Sequence, residues 1–88
     1  MPTLQFSERA LIAREQSTGR RKAALDKALG ELEARGMISG DKPLRIKNTE
    51  DIWAARVDAD LRILFTSRGD EIVILDIISR SDYLRYMP

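Results

Sequence analysis

The side chains of this 88-residue chain best suited to chemistry are cations and phenols gathered in its second half. Arg56, Arg62 and Arg80 stand on or directly beside apolar runs that read as buried strands, so each guanidinium needs a reason to be there. Arg45 and Lys47 alternate with Leu44 and Ile46, which sets both cations on one face of a short extended run. Tyr83, Arg85 and Tyr86 follow in a basic, aromatic closing segment. Guanidinium forks suit bidentate contact with phosphate oxygens, and a phosphate-bearing ligand is the chemistry that Arg45 and Lys47 would also serve. The plainer alternatives are a solvated edge for Arg45 and Lys47, and ion pairs of Arg62 with Asp60 or Asp76 and of Arg80 with Asp82.

Composition narrows the reaction classes. The chain has no histidine and no cysteine, which removes the commonest general base, the commonest metal ligand, thiolate metal sites and any disulfide frame. Asp58, Asp60, Asp70 and Glu71 fall at turns, where turn propensity explains them better than a metal site or paired-carboxylate chemistry does. No metal or other cofactor is therefore expected. A net charge of +1 argues neither for nor against nucleic acid. No apolar run approaches the roughly 18 residues that cross a bilayer, and the N-terminus lacks a secretion pattern, so a cytoplasmic protein with no membrane partner is expected. The length allows one small domain, residues 1–88.

The elements that must position these residues follow from periodicity. Thr3 to Phe6 reads as a short strand, and Ser7 as the N-cap of a helix from Glu8 to Glu15. Ser17, Thr18 and Gly19 interrupt it, and a second helix runs to Arg35 with Leu25, Ala28, Leu29 and Leu32 as its apolar stripe. Gly36 stands at the left-handed C-cap. Met37 to Pro43 is a turn-rich connector, Leu44 to Lys47 a short edge strand, and Asn48 to Asp51 a polar turn. Three strands follow as a meander, Ile52 to Val57, Leu61 to Phe65 and Ile72 to Ile78, joined through residues 58–60 and through 67–70, where Gly69 can take positive φ. Trp53 is expected to pack rather than stack on a base. The order predicts an α+β fold with two N-terminal helices on one face of a small, mostly antiparallel sheet.

Trp53 to Val57, Leu61-Arg62-Ile63-Leu64-Phe65, the aliphatic strand to Ile78, and Ser79-Arg80-Ser81-Asp82-Tyr83 together resemble the RelE/ParE superfamily of bacterial toxins from toxin–antitoxin pairs. The resemblance covers nearly the whole chain. It implies a RelE-like fold and one of two activities: ribosome-dependent cleavage of messenger RNA, which makes the toxin an endoribonuclease that inhibits translation, or poisoning of DNA gyrase without nuclease chemistry. A third possibility is an inactive member kept as a protein-binding subunit. It also implies a cognate antitoxin, whose helix would cover apolar surface that so small a core cannot hide.

Carried over by register, Arg62 matches the family's strand arginine, Arg80 the closing arginine, and Arg56 a basic strand position. Tyr83 and Tyr86 compete for the C-terminal tyrosine. Leu61, Ala54 and Ala55 depart from the tyrosine and lysines common in strong nucleases. The resemblance thus implies Arg56, Arg62, Arg80 and Tyr83 as the catalytic set, with Arg45, Lys47, Arg85 and Tyr86 binding RNA. Metal-free cleavage needs the 2′-hydroxyl deprotonated, the phosphorane charge stabilised and the leaving oxygen protonated. Arginine suits the second task, and a tyrosine among guanidinium groups can handle a proton or stack on a base.

Overall fold

A computed structural model describes residues 3–38, 42–46, 49 and 51–86, with Tyr86 described by its backbone. Lys47, Gly40, Asn48 and Glu50, on which parts of the connector and edge-strand reading rest, lie outside the described residues. The elements are β1 (Thr3–Phe6), α1 (Glu8–Gln16), α2 (Gly19–Arg35), β2 (Leu44–Arg45), β3 (Trp53–Arg56), β4 (Leu61–Arg68), β5 (Glu71–Ser79) and α3 (Arg80–Tyr86). The five strands form one sheet in the order β1-β5-β4-β3-β2, antiparallel except for β1, which runs parallel to β5. The α+β arrangement expected from the sequence is the one observed.

Local chemistry explains the helix layer. Ser7 is the N-cap of α1: its hydroxyl accepts the Ala10 N–H at 3.1 Å and donates to the Leu75 carbonyl at 2.5 Å, while its backbone N–H reaches the Ile74 carbonyl. One residue thereby ties β1, α1 and β5 together. Leu25, Ala28, Leu29 and Leu32 recur one helical turn apart and are all buried, and Gly36 closes α2 at φ 76°, its N–H on the Leu32 carbonyl. Thr18 stands at the N-cap position of α2, where its side chain makes no capping hydrogen bond. Asp26 on α2 is held by Lys22 at 2.9 Å and by Arg14 of α1 at 4.0 Å.

Two cores flank the sheet. The larger lies under α1 and α2 and joins Ala10, Leu25, Leu29 and Leu32 to Ala55, Leu61, Ile63, Phe65, Ile72, Ile74 and Ile77. The smaller lies on the other face, where Ala54, Leu64 and Ile78 meet Ile46, with Ile52, Leu75 and Tyr83 packed against them. That face is therefore partly covered. The β5 strand, apolar on both sides as the sequence predicts, serves both cores and carries a register shift against β4. Leu64 pairs with Asp76 and Phe65 with Ile74, so Leu75 is an extra residue.

Three boundaries differ from the sequence reading. The β4–β5 hairpin is longer, because Arg68 pairs with Glu71 and leaves only Gly69 and Asp70 in the turn, with Gly69 at φ 60°. The edge strand β2 is confined to Leu44 and Arg45. The closing segment, read as a tail, is the helix α3, whose start is capped by Ser79: its hydroxyl accepts the Asp82 N–H at 3.2 Å. Among the described residues, no helix is long and apolar enough to cross a membrane.

Candidate functional site

Register decides which cations share a face. Arg56 and Arg62 are direct partners across β3 and β4, with Ala54 opposite Leu64 on the same side, the side away from α1 and α2. Trp53 pairs with Phe65 and with Arg45, which puts Trp53 and Arg45 on the helix-facing side at the edge of the sheet. Trp53 accordingly does not face the two strand arginines.

The two arginines are fixed by the turn that joins their strands. Asp58 bends its carboxylate back to accept the N–H groups of Asp60 and Leu61, both at 2.8 Å, an Asx-type turn. Its carbonyl then points to the open face. Arg62 donates to that oxygen through Nη1 at 2.6 Å and to the Leu61 carbonyl at 3.1 Å, and Arg56 donates to the Asp58 carbonyl through Nε at 3.4 Å. The turn is itself anchored: Asp60 pairs with Arg21 of α2, and its carbonyl accepts the backbone N–H of Arg80 at 2.5 Å.

Tyr83 comes from α3. One turn beyond the Ser79 cap, it packs on the smaller core with its ring 5.6 Å from the Arg62 guanidinium carbon, within cation–π range. Arg56, Arg62 and Tyr83 line one shallow depression of about 160 Å³ together with Lys42, Leu44 and Ala54. Lys42 was not singled out by the sequence. It sits in the connector before β2, where no local pattern marks it, and only the tertiary fold carries it to the arginines.

The remaining residues named from the sequence lie elsewhere. Arg80, exposed at the first turn of α3, is not among the residues lining the depression. Arg85 pairs with Asp82 at 3.7 Å and lines a separate groove with Arg9 and Asp76, which pair at 3.6 Å. Lys47 and the Tyr86 side chain lie outside the described residues. The ion pairs considered for Arg62 and Arg80 do not form as expected: Asp60 is taken by Arg21, Asp76 by Arg9 and Asp82 by Arg85. Among the described residues, no group of three or more histidine, cysteine, aspartate or glutamate side chains is placed to hold a metal ion.

Several apolar side chains remain outside both cores. Leu11 and Ile12 of α1 are 43% and 47% exposed, and Leu44, in the depression, is 55% exposed.

No protein-family model matches the sequence, and no curated protein matches it either. Solved structures do match. The RelB–RelE antitoxin–toxin complex from Methanococcus jannaschii contains a chain similar to this one at a TM-score of 0.74 and 15% identity, covering 96% of this chain and 99% of that one. The YoeB dimer from Staphylococcus aureus is similar at 0.70 and 20% identity over 88% and 94% of the two chains. The YoeB/ParE toxin from Agrobacterium tumefaciens is similar at 0.70 and 14% identity over 91% and 99%. The chain thus has the α+β fold of RelE, YoeB and ParE toxins.

Proposed function

We propose that the chain is the toxin of a bacterial toxin–antitoxin pair, and that it inhibits translation by cleaving messenger RNA at the ribosome without a metal ion. The observation that carries this reading is the gathering of Arg56, Arg62 and Tyr83 around one depression on the sheet face away from α1 and α2. Like charges directly opposite each other on a sheet repel, and a bound phosphate turns that repulsion into attraction.

Each side chain has a task matched to its chemistry. Arg62, braced by two carbonyls, donates to the phosphate oxygens on which charge grows as the 2′-oxygen attacks phosphorus. Arg56 adds a second donor from the neighbouring strand. Tyr83 is the lining residue whose side chain both donates and accepts, so it hands on a proton or stacks on a base beside the scissile bond. Arg80, at the first turn of α3, binds an adjoining phosphate, and Arg85, in its separate groove, makes a more distant contact with RNA. The partner that restrains the toxin is an antitoxin, as RelB accompanies RelE in the Methanococcus jannaschii complex, and its apolar side chains cover Leu11 and Ile12.

One observation favours a second reading. Ala54 and Ala55 occupy β3 where strong nucleases carry lysines, and a net charge of +1 is low for a ribosome-binding protein, so a gyrase poison on the same fold is the alternative. Induced expression of the wild type beside Arg62→Ala, with mapping of messenger RNA 5′ ends, separates the two. Cuts within translated regions that vanish in the variant are the expected result. Growth arrest with intact messages and broken DNA would favour gyrase, and no arrest would leave a binding subunit.

A further inference from the structure

Lys42 brings a third cation to the depression from outside the sheet. It precedes Pro43, whose ring disfavours helical backbone at the residue before it, so the connector approaches β2 as an extended, stiffened dipeptide. Its side chain is exposed and lines the same depression as Arg56 and Arg62. An ammonium on a flexible stem serves phosphate as a mobile point charge, unlike the braced fork of Arg62.

The floor between these cations is apolar. Leu44 and Ala54 are direct partners across β2 and β3; Ala54 is almost fully buried, whereas Leu44 leaves 55% of its surface exposed. The small Ala54 side chain keeps the floor low. At about 160 Å³ the depression falls well short of the roughly 300 Å³ at which pockets for whole small molecules begin. It suits one flat group of a longer chain that continues over the surface, and cations ringing an apolar floor match a base attached to its phosphate.

We propose that Lys42 binds the phosphate of the nucleotide adjoining the one held by Arg56 and Arg62, and that Leu44 with Ala54 receives the face of its base. This deepens the nuclease reading and rests on it. The two contacts leave different signatures. A phosphate contact is salt-dependent, and contact between a base and Leu44 is not.

The test is binding of a fluorescein-labelled single-stranded RNA decamer to the purified chain over a range of salt. Lys42→Ala is expected to weaken binding about tenfold and to lower the slope of log K against log salt by about 0.7, while Lys42→Arg retains most of both. Leu44→Ser is expected to weaken binding about fivefold with the slope unchanged. Arg20→Ala, an exposed cation on α2, serves as the control, and circular dichroism checks that each variant is folded. If Arg62→Ala binds weakly but Lys42→Ala matches the wild type in affinity and slope, the role of Lys42 is overturned while the nuclease reading stands. A Leu44→Ser variant that binds normally removes the base floor. If the wild type binds RNA no better than Arg62→Ala does, the nucleic-acid reading fails and this inference fails with it.

Discussion

Arg56 and Arg62 face each other across β3 and β4 and donate to one oxygen, the carbonyl of Asp58. A shared acceptor holds the two guanidinium groups at the mouth of one depression. Arg62→Ala is expected to lower cleavage of translated messages by about 100-fold or more, the usual loss when a donor to a developing negative charge is removed. Arg62→Lys keeps the charge but loses the planar fork, and should recover only part of that loss. Primer extension on a translated reporter message reads both variants. Equal activity of Arg62→Ala and wild type would remove Arg62 from the chemistry.

Asp58 is expected to govern activity without touching RNA. Asp58→Ala leaves the N–H groups of Asp60 and Leu61 without their acceptor and loosens the turn that carries the shared carbonyl. The cost should be about 1–2 kcal/mol, lowering the melting temperature by roughly 5–10 °C, with a fall in cleavage beyond that explained by unfolding. Asp58→Asn retains an oxygen acceptor and should stay close to wild type on both counts. Thermal melts run beside the cleavage assay decide the matter, and a stable, fully active Asp58→Ala would refute this role for the turn.

Ser7 concentrates four hydrogen bonds at the meeting point of β1, α1 and β5, two through its hydroxyl, one through its N–H to Ile74 and one through its carbonyl, which accepts the Leu11 N–H. Ser7→Ala keeps the backbone bond to Ile74 and loses the two made by the hydroxyl. A loss of about 1–2 kcal/mol in urea unfolding is expected, the upper end reflecting the tie to Leu75 in addition to the cap. An unchanged midpoint would mean that water replaces the hydroxyl at no cost.

Acid should weaken the contacts that Asp26 makes on α2. The hydrogen bond from Lys22, aided by the charges of Lys22 and Arg14, holds the Asp26 carboxyl below its ordinary value of 3.8 against an opposing effect of desolvation. Because the folded value is the lower one, the stabilisation is fully present above about pH 4 and disappears as pH falls through the folded value. Asp26→Asn abolishes that contribution, so its stability should fall less than that of the wild type between pH 5 and pH 3. Urea unfolding at the two pH values measures the difference; parallel losses would show that Asp26 contributes nothing to acid sensitivity.

What the sequence revealed depended on how local the signal was. The stripe Leu25, Ala28, Leu29 and Leu32, the Ser7 cap and the glycines at 36 and 69 are each written within a few residues, and each behaves as read. The α3 helix was equally local, since Ser79 and Asp82 have the spacing of a capping pair, but the basic and aromatic residues within it read as a tail after the third strand. The site was legible only in part. Arg62 and Tyr83 followed from the resemblance, whereas Lys42 depends on where the connector crosses the sheet. Arg45 faces the helix side because it pairs with Trp53, a register that no short-range pattern contains. The ion pairs failed for the same reason: the carboxylates nearest in sequence to Arg62 and Arg80 are claimed by Arg21 and Arg85, and the more distant Asp76 by Arg9.

The extra residue in β5 alters how this chain can be compared with others. Before Leu75, the residues facing α1 and α2 are Ile72 and Ile74; after it, the one facing them is Ile77. The strand counts by twos, skips one, and begins counting again. An alignment that follows alternation alone would exchange inward and outward positions from Asp76 to Ser79. Aligning this chain with a strand that lacks the extra residue requires a single gap at Leu75.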